Sequence, residues 1–245
     1  MCSIFPLTIR RLVFLCIVLC LFCTGCGNPE KEYHFGGGVK RLLSYNSKGE
    51  IDGTIKYYDE WGNLWKEENW KNGKKEGLTR TYTFEGKLQS ESYFADDKAN
   101  GAFREYYDNG TIKTDCQYTD GFFDGPCRKY YKNGTLVSDV VYVQGKRSGP
   151  ETLYYKSGVP RLSAYYTDGE LNSAVIEYYE SGAIKVIVNY RNGIKHGIAK
   201  EYYEDGKLMA EMLYRQGEGV GPVEYDESGN IIMPRKKKID PNLIK

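Results

Sequence analysis

The side chains that could do chemistry in this chain are few in kind and regular in place. Its 245 residues include only two histidines, His34 and His196, and seven cysteines. Cys2, Cys16, Cys20, Cys23 and Cys26 crowd the start, which leaves Cys116 and Cys127 alone in the remainder. Carboxylates are plentiful, and Glu67, Glu91, Asp115, Asp139 and Glu211 recur at a fixed spacing, with Ser163 and Ile187 at the same offset. Catalysis and metal binding need unlike groups that converge on one point. No HExxH, GxSxG, P-loop or paired CxxC pattern supplies them. His196 has nothing nearby in the sequence to complete a site, so it reads as a turn residue, with catalysis or metal ligation as the alternative. A glycosidase-like carboxylate pair remains formally open, but carboxylates at equivalent offsets suit a solvated surface better than one asymmetric pocket. The acidic column reads as a solvated sheet face; the other reading, a cation-binding ladder, is weakened by Ser163 and Ile187. The sequence therefore names no catalytic residue, no metal ligand and no cofactor, and leaves the ligand-binding residues unknown.

What positions these residues is a repeat. The stretch Gly101 to Gly125, GAFREYYDNGTIKTDCQYTDGFFDG, recurs with openings at Gly53, Gly77, Gly101, Gly125, Gly149, Ser173, Gly197 and Gly221, each 24 residues from the last. A fixed period of this length marks a repeat architecture. Apolar residues alternate with polar ones, as in Leu136, Val140 and Tyr142 or Ile184, Val186, Val188 and Tyr190, which argues for half-buried strands. Between strands stand DNG, KNG, KSG, ESG and EDG, the chemistry of tight hairpin turns. A second turn, such as Asn192 to Gly197, leads onward. The expected fold is all-β: an elongated meander of about seven 24-residue hairpins in an open, twisted sheet. Adjacent tyrosines, Tyr106–Tyr107 and their equivalents up to Tyr202–Tyr203, must point to opposite faces. They read as packing, with a stacking platform for a sugar or peptide as the alternative. Asp97, Pro160 and Ser173 break the pattern and mark places expected to be looser.

The hairpin register bears on the two isolated cysteines. If Tyr118 faces Gly125, then Cys116 faces Cys127, at the spacing of about 4.5–5.5 Å that a cross-strand bridge can use. Cys116–Cys127 is thus a possible disulfide, and two unbridged, packed thiols are the alternative.

The first residues are a targeting segment. Arg10 and Arg11 precede the apolar run LVFLCIVLCLF, which is short for a membrane span and followed by small residues. Thr24, Gly25 and Cys26 resemble the bacterial lipobox, in which the cysteine after the cleavage site is acylated; Cys23 departs from it, since leucine is usual there. The expected organisation is a signal peptide over 1–25, a lipidated tether over 26–38 beginning at Cys26, a repeat domain over 39–232 and a basic tail over 233–245. The tail, with Arg235, Lys236, Lys237 and Lys238, reads as a solvated end, or as a contact with anionic membrane. A net charge of +1 offers no concentrated basic face, so nucleic acid is not an expected partner. The expected address is that of an exported, membrane-anchored lipoprotein of the cell envelope, in the outer membrane if the cell is Gram-negative; a plain secreted protein or an uncleaved anchor is the alternative.

The run Tyr202 to Leu208 and the run Trp70 to Gly77 resemble bacterial MORN-repeat-variant proteins, with Trp70 standing where tyrosine is usual. The resemblance covers roughly Val39 to Ile232 and rests on seven copies. It implies an extended meander of β-hairpins. Some bacterial members carry an antitoxin label, and eukaryotic MORN proteins are associated with protein assembly and membrane-lipid contact; no catalytic motif comes with the likeness. The expected function is a non-catalytic, membrane-anchored scaffold that holds an unknown protein or peptide partner. An antitoxin or immunity-like component is the alternative, and an envelope glycan hydrolase stands behind both.

Overall fold

The computed structural model describes residues 29–232, so Cys26, the leader and the basic tail lie outside the described residues. Within them the chain forms one sheet of 20 strands, every paired neighbour antiparallel. The described residues contain no helix, and hence none long and apolar enough to cross a membrane. Substantial contacts join only strands that are close in sequence. This is the all-β meander expected from the period.

A central pair of units shows how the residues dictate it. Strands β7 (Lys98–Tyr106) and β8 (Ile112–Thr119) are joined through Asp108, Asn109 and Gly110. Gly110 takes φ 82° while its N–H donates to the Tyr107 carbonyl at 2.8 Å, the geometry of a type I turn closed by a glycine bulge. Strand β8 then turns into β9 (Phe122–Tyr130) through Asp120 at φ 51° and Gly121 at φ 89°, a two-residue turn with both centres left-handed. Successive turns of this second kind are stitched together. The Gly121 N–H donates to the Ala99 carbonyl one unit back, and Gly145 does the same to Phe123, each at 2.8 Å.

The register differs from expectation at one point. Tyr118 pairs with Gly101 on one side and Phe123 on the other, not with Gly125. Asp124, Gly125 and Pro126 together stand opposite Gln117, a bulge that an unbroken antiparallel ladder does not contain. It recurs where Trp70 pairs with Lys75, Phe94 with Ala99 and Tyr142 with Arg147. Cys116 still pairs with Cys127, because the bulge lies between them and the turn.

The core is one row of side chains along one face, here termed inner. It runs Ile55–Glu68–Thr79–Ser92–Phe103–Cys116–Cys127–Val140–Glu151–Ala164, each residue the register partner of the next. Val175 and Val188 pair farther along and are also buried. Ile55, Glu68 and Cys116 are only 1% exposed. Tyrosines brace the row from the side: the Tyr107 hydroxyl donates to the Tyr130 carbonyl of the next unit at 2.7 Å, and Tyr155 and Tyr179 repeat the bond to Tyr178 and Tyr202. Tyr106, the neighbour of Tyr107, points to the other face, where it donates to Glu91 as Tyr82 does to Glu67.

The irregular positions behave unequally. Asp97 occupies the left-handed turn position at φ 67° and its carboxylate accepts the Lys75 N–H at 2.8 Å, so the turn survives. Pro160 begins β12 (Pro160–Thr167) and the strand is unbroken. At Ser173 the strand does break, into β13 (Glu170–Leu171) and β14 (Ala174–Tyr178). A similar break at His196 divides β16 (Ile194–Lys195) from β17 (Gly197–Tyr202). The described part of the expected tether is also structured: Glu30–Tyr33 forms β1, an edge strand paired with β2 (Val39–Leu43), although its sequence shows no alternation.

Candidate functional site

Sites are to be sought where a regular lattice fails, since its regular parts satisfy themselves. On the outer face the acidic column is part of a continuous row, Lys56–Glu67–Arg80–Glu91–Arg104–Asp115–Arg128–Asp139. Cross-strand ion pairs run along it: Lys56–Glu67 at 3.3 Å, Arg80–Glu91 at 2.9 Å, Arg104–Asp115 at 3.3 Å and Arg128–Asp139 at 3.1 Å. Hydrogen bonding by Arg80 is the main cause that holds the Glu91 carboxyl below the usual carboxylate range. With cations as lateral neighbours these carboxylates are already neutralised, so they do not build a cation-binding ladder. No group of three or more His, Cys, Asp or Glu side chains among the described residues could hold a metal ion.

The row stops at β11 (Lys146–Tyr154). From there it reads Thr152–Ser163–Ile176–Ile187, and charge returns only at Lys200–Glu211, paired at 3.3 Å. On the inner face of the same unit lies a trough of about 240 Å³, with Leu153, Leu162, Val175, Val186 and Val188 among its lining. An adjoining hollow of about 430 Å³ shares Leu153 and Arg161 with it and continues toward Tyr131, Tyr155 and Lys156. Arg147 closes one side. Its guanidinium lies 3.1 Å from Glu151, donates to the Tyr166 hydroxyl at 2.9 Å and stacks 4.5 Å from that ring. Burial and the neighbouring Glu151 carboxylate push the Tyr166 phenol up to about 12.

Arg161 sits where β12 bulges, opposite the step from Leu153 to Tyr154. Of the equivalent bulges two carry a cation, Lys113 and Lys185, which pair with Glu105 at 2.8 Å and Glu177 at 3.7 Å; the others carry Trp65, Gln89, Val137 and Met209. In this unit the carboxylate's place is taken by Leu153, and Arg161 has no ion pair or side-chain hydrogen bond among the described residues. One unit beyond Glu177 the reverse holds. Glu201, the register partner of Val186, has Met209 at its bulge; burial holds its carboxyl above the usual carboxylate range.

The residues singled out from sequence fall as follows. Cys116 and Cys127 face each other with Cα atoms 4.0 Å apart and are joined in the structure. His34 bonds the Tyr58 carbonyl through its Nε2 at 2.9 Å, and His196 lies at the break before β17. Neither approaches the trough. Sequence reasoning missed Arg161 and Glu201, because their isolation shows only against the partners of their repeat equivalents.

The MORN repeat variant pattern matches residues 51–72, 75–96, 99–120, 123–144, 171–192 and 195–216, more than half of the chain. It passes over the unit that holds Arg147, Glu151, Arg161 and Tyr166. No curated protein sequence matches. Among solved structures, the crystal structures of TcdB2-TccC3 and of TcdB2-TccC3-Cdc42 are each 12% identical over 80% of this chain, with TM-score 0.21. The Photorhabdus luminescens Tc holotoxin pore with the TccC3-D651A mutation is also 12% identical over 80%, with TM-score 0.19. The chain spans only 14% of the length of these matched chains, and scores this low bear on neither fold nor function.

Proposed function

The chain belongs to the MORN repeat variant family, and from that premise we propose that it is a membrane-anchored, non-catalytic scaffold that holds a protein or peptide partner at the cell envelope. The observation that carries this reading is the unmatched unit. At β11 and β12 the charged row of the outer face lapses, and the inner face opens into a trough with an apolar floor and an unpaired cation, Arg161. A binding surface is the natural use of such a departure, since pockets with few placed polar groups are where ligands bind. The trough carboxylates Glu151 and Glu177 are both held by cations, which suits recognition better than proton transfer.

Anchorage is supported by the opposite end. Trp61 and Phe84 sit on neighbouring hairpin tips, 78% and 74% exposed, with ring centroids 6.3 Å apart. Phe35 projects from the turn after β1, at the N-terminal end of the described sheet. Exposed aromatic rings near an acylated terminus suit the interface of a bilayer. Changing Cys26→Ser is expected to abolish labelling by a lipid probe and to move the chain out of the membrane fraction; equal labelling of wild type and variant overturns the anchor.

The scaffold reading is tested by a photo-crosslinking amino acid placed at Lys156, an exposed side chain lining the hollow that adjoins the trough, and at Asp108, its equivalent in a regular unit, as control. Crosslinks to a discrete partner in intact envelopes are expected from the first position and not the second. A partner captured from neither overturns it.

A further inference from the structure

Arg161 lines the trough, and Glu201, the register partner of the lining Val186, stands on the next strand just beyond it; the two form its poles. Arg161 is a bulge cation opposite Leu153 rather than a carboxylate, and Glu201 is a carboxylate with Met209 at its bulge. They stand on β12 and β17, separated by β14 and β15 (Ile184–Arg191), so about 14 Å of sheet lies between them at about 4.8 Å per strand step. The surface between is apolar: Leu162, Val175 and Val186 lie on the inner face with only the Glu177–Lys185 pair among them, and that pair neutralises itself.

Arg161 is exposed and presents an unpaired guanidinium to a ligand, whereas burial disfavours the charged form of Glu201. A ligand that brings a carboxylate to Arg161 and a cation to Glu201 while covering the apolar floor gains at both poles. A polyanion, such as an anionic lipid surface, satisfies Arg161 and is repelled by Glu201 and by Glu224, which faces Ala210 next to it.

We propose that this trough is a peptide-binding site whose ligand offers an acidic side chain to Arg161, an apolar stretch to the Leu162–Val186 floor and a basic side chain to Glu201. The proposal rests on the scaffold reading and names the chemistry of its partner. Both charges lie on strands, so the spacing between them is fixed before the ligand arrives, and a fixed spacing discriminates by charge order as well as by charge.

The test uses the full mature chain, purified in detergent, against a displayed library of random dodecapeptides. Wild type is expected to enrich peptides that carry an acidic and a basic residue flanking apolar ones. Arg161→Glu and Glu201→Lys are each expected to weaken the selected peptides by about tenfold, a typical loss on truncating or inverting one charge of an interfacial pair. The double variant exchanges the poles, so the same peptides, entering in the opposite direction, are expected to regain most of that affinity. A purely structural role for either residue cannot produce this recovery. Enrichment of purely acidic peptides, single variants that bind as wild type, or a double variant that stays weak overturns the proposal. Failure here alongside crosslinks at Lys156 removes the ligand class and leaves the scaffold standing, whereas absent crosslinks remove the scaffold itself.

Discussion

Glu68 shows how a sheet with a single core row tolerates a carboxylate inside it. Burial pushes its pKa up, but hydrogen bonds from Lys66, Lys75 and the Tyr57 hydroxyl outweigh that and bring it down to about 2. The ammonium groups of Lys66 and Lys75 lie 2.5 and 2.7 Å from it, and each also sits over an aromatic ring, Tyr57 at 5.3 Å and Phe94 at 5.1 Å. A folded pKa below the unfolded value of 4.5 contributes stability that is present above pH 4.5 and lost as pH falls toward about 2. Acid unfolding followed by circular dichroism is expected to steepen in that window. Glu68→Gln is expected to flatten it and to cost about 1–3 kcal/mol at neutral pH, because two half-buried ammonium groups lose their acceptor; an unchanged acid profile counts against the arrangement. The cysteines in the same row give a second residue-level expectation. The proposed export would put Cys116 and Cys127 where a disulfide persists, and closing a loop of 11 residues contributes roughly 3 kcal/mol. Non-reducing peptide mapping of envelope-purified protein is expected to yield the linked peptide, and two alkylatable thiols would show the bridge absent. That these two residues face each other could be read from the sequence, though by an argument with one wrong step, since Tyr118 does not face Gly125. Arg161 could not be read at all, because nothing in its own neighbourhood says that a carboxylate belongs there.

The hairpin is the element on which the rest depends, and its glycines set where it bends. Gly101 takes φ 114°, and a Cβ added there would sit 3.1 Å from the Cβ of Tyr93 on the preceding strand. Gly101→Ala is therefore expected to cost about 1–3 kcal/mol, from backbone strain in the left-handed region together with displacement of Tyr93. The contrasting change is Gly110→Ala, at a turn tip with nothing within 4 Å, where only the backbone term remains. Thermal melts of the two are expected to rank Gly101→Ala as the more damaging; the reverse order would place the constraint in the turn. Ser173 is the natural experiment: it stands at an opening-glycine position, does not take a positive φ, and the strand parts there. The turns, the period and the alternation were legible because each is set within a few residues. The three-against-one bulge was not, since it arises only when the second strand meets its neighbour. Nor was β1, whose charged sequence becomes a strand because β2 offers it an edge.

At the scale of the whole molecule, each unit touches only the units beside it, so length grows with repeat number while no deep core accumulates. Two strands at about 4.8 Å each give roughly 10 Å of sheet per unit, and seven and a half units approach 70 Å before twist shortens the end-to-end distance. The strands are nine residues at their longest, so the sheet is about 30 Å wide. A compact domain of the same chain length has a radius of gyration near 18 Å and no such long dimension. Small-angle scattering from a chain that begins at Gly27 is expected to give a larger radius and a distance distribution with a tail toward 70 Å. A symmetric distribution with the compact radius would mean that the sheet closes on itself, and the inner row would then face its own far end. That outcome reaches the candidate site as well, because the Arg161–Glu201 trough is available to a partner only where the inner face stays open. The scattering curve thus decides whether a binding surface of this breadth exists before any partner is sought.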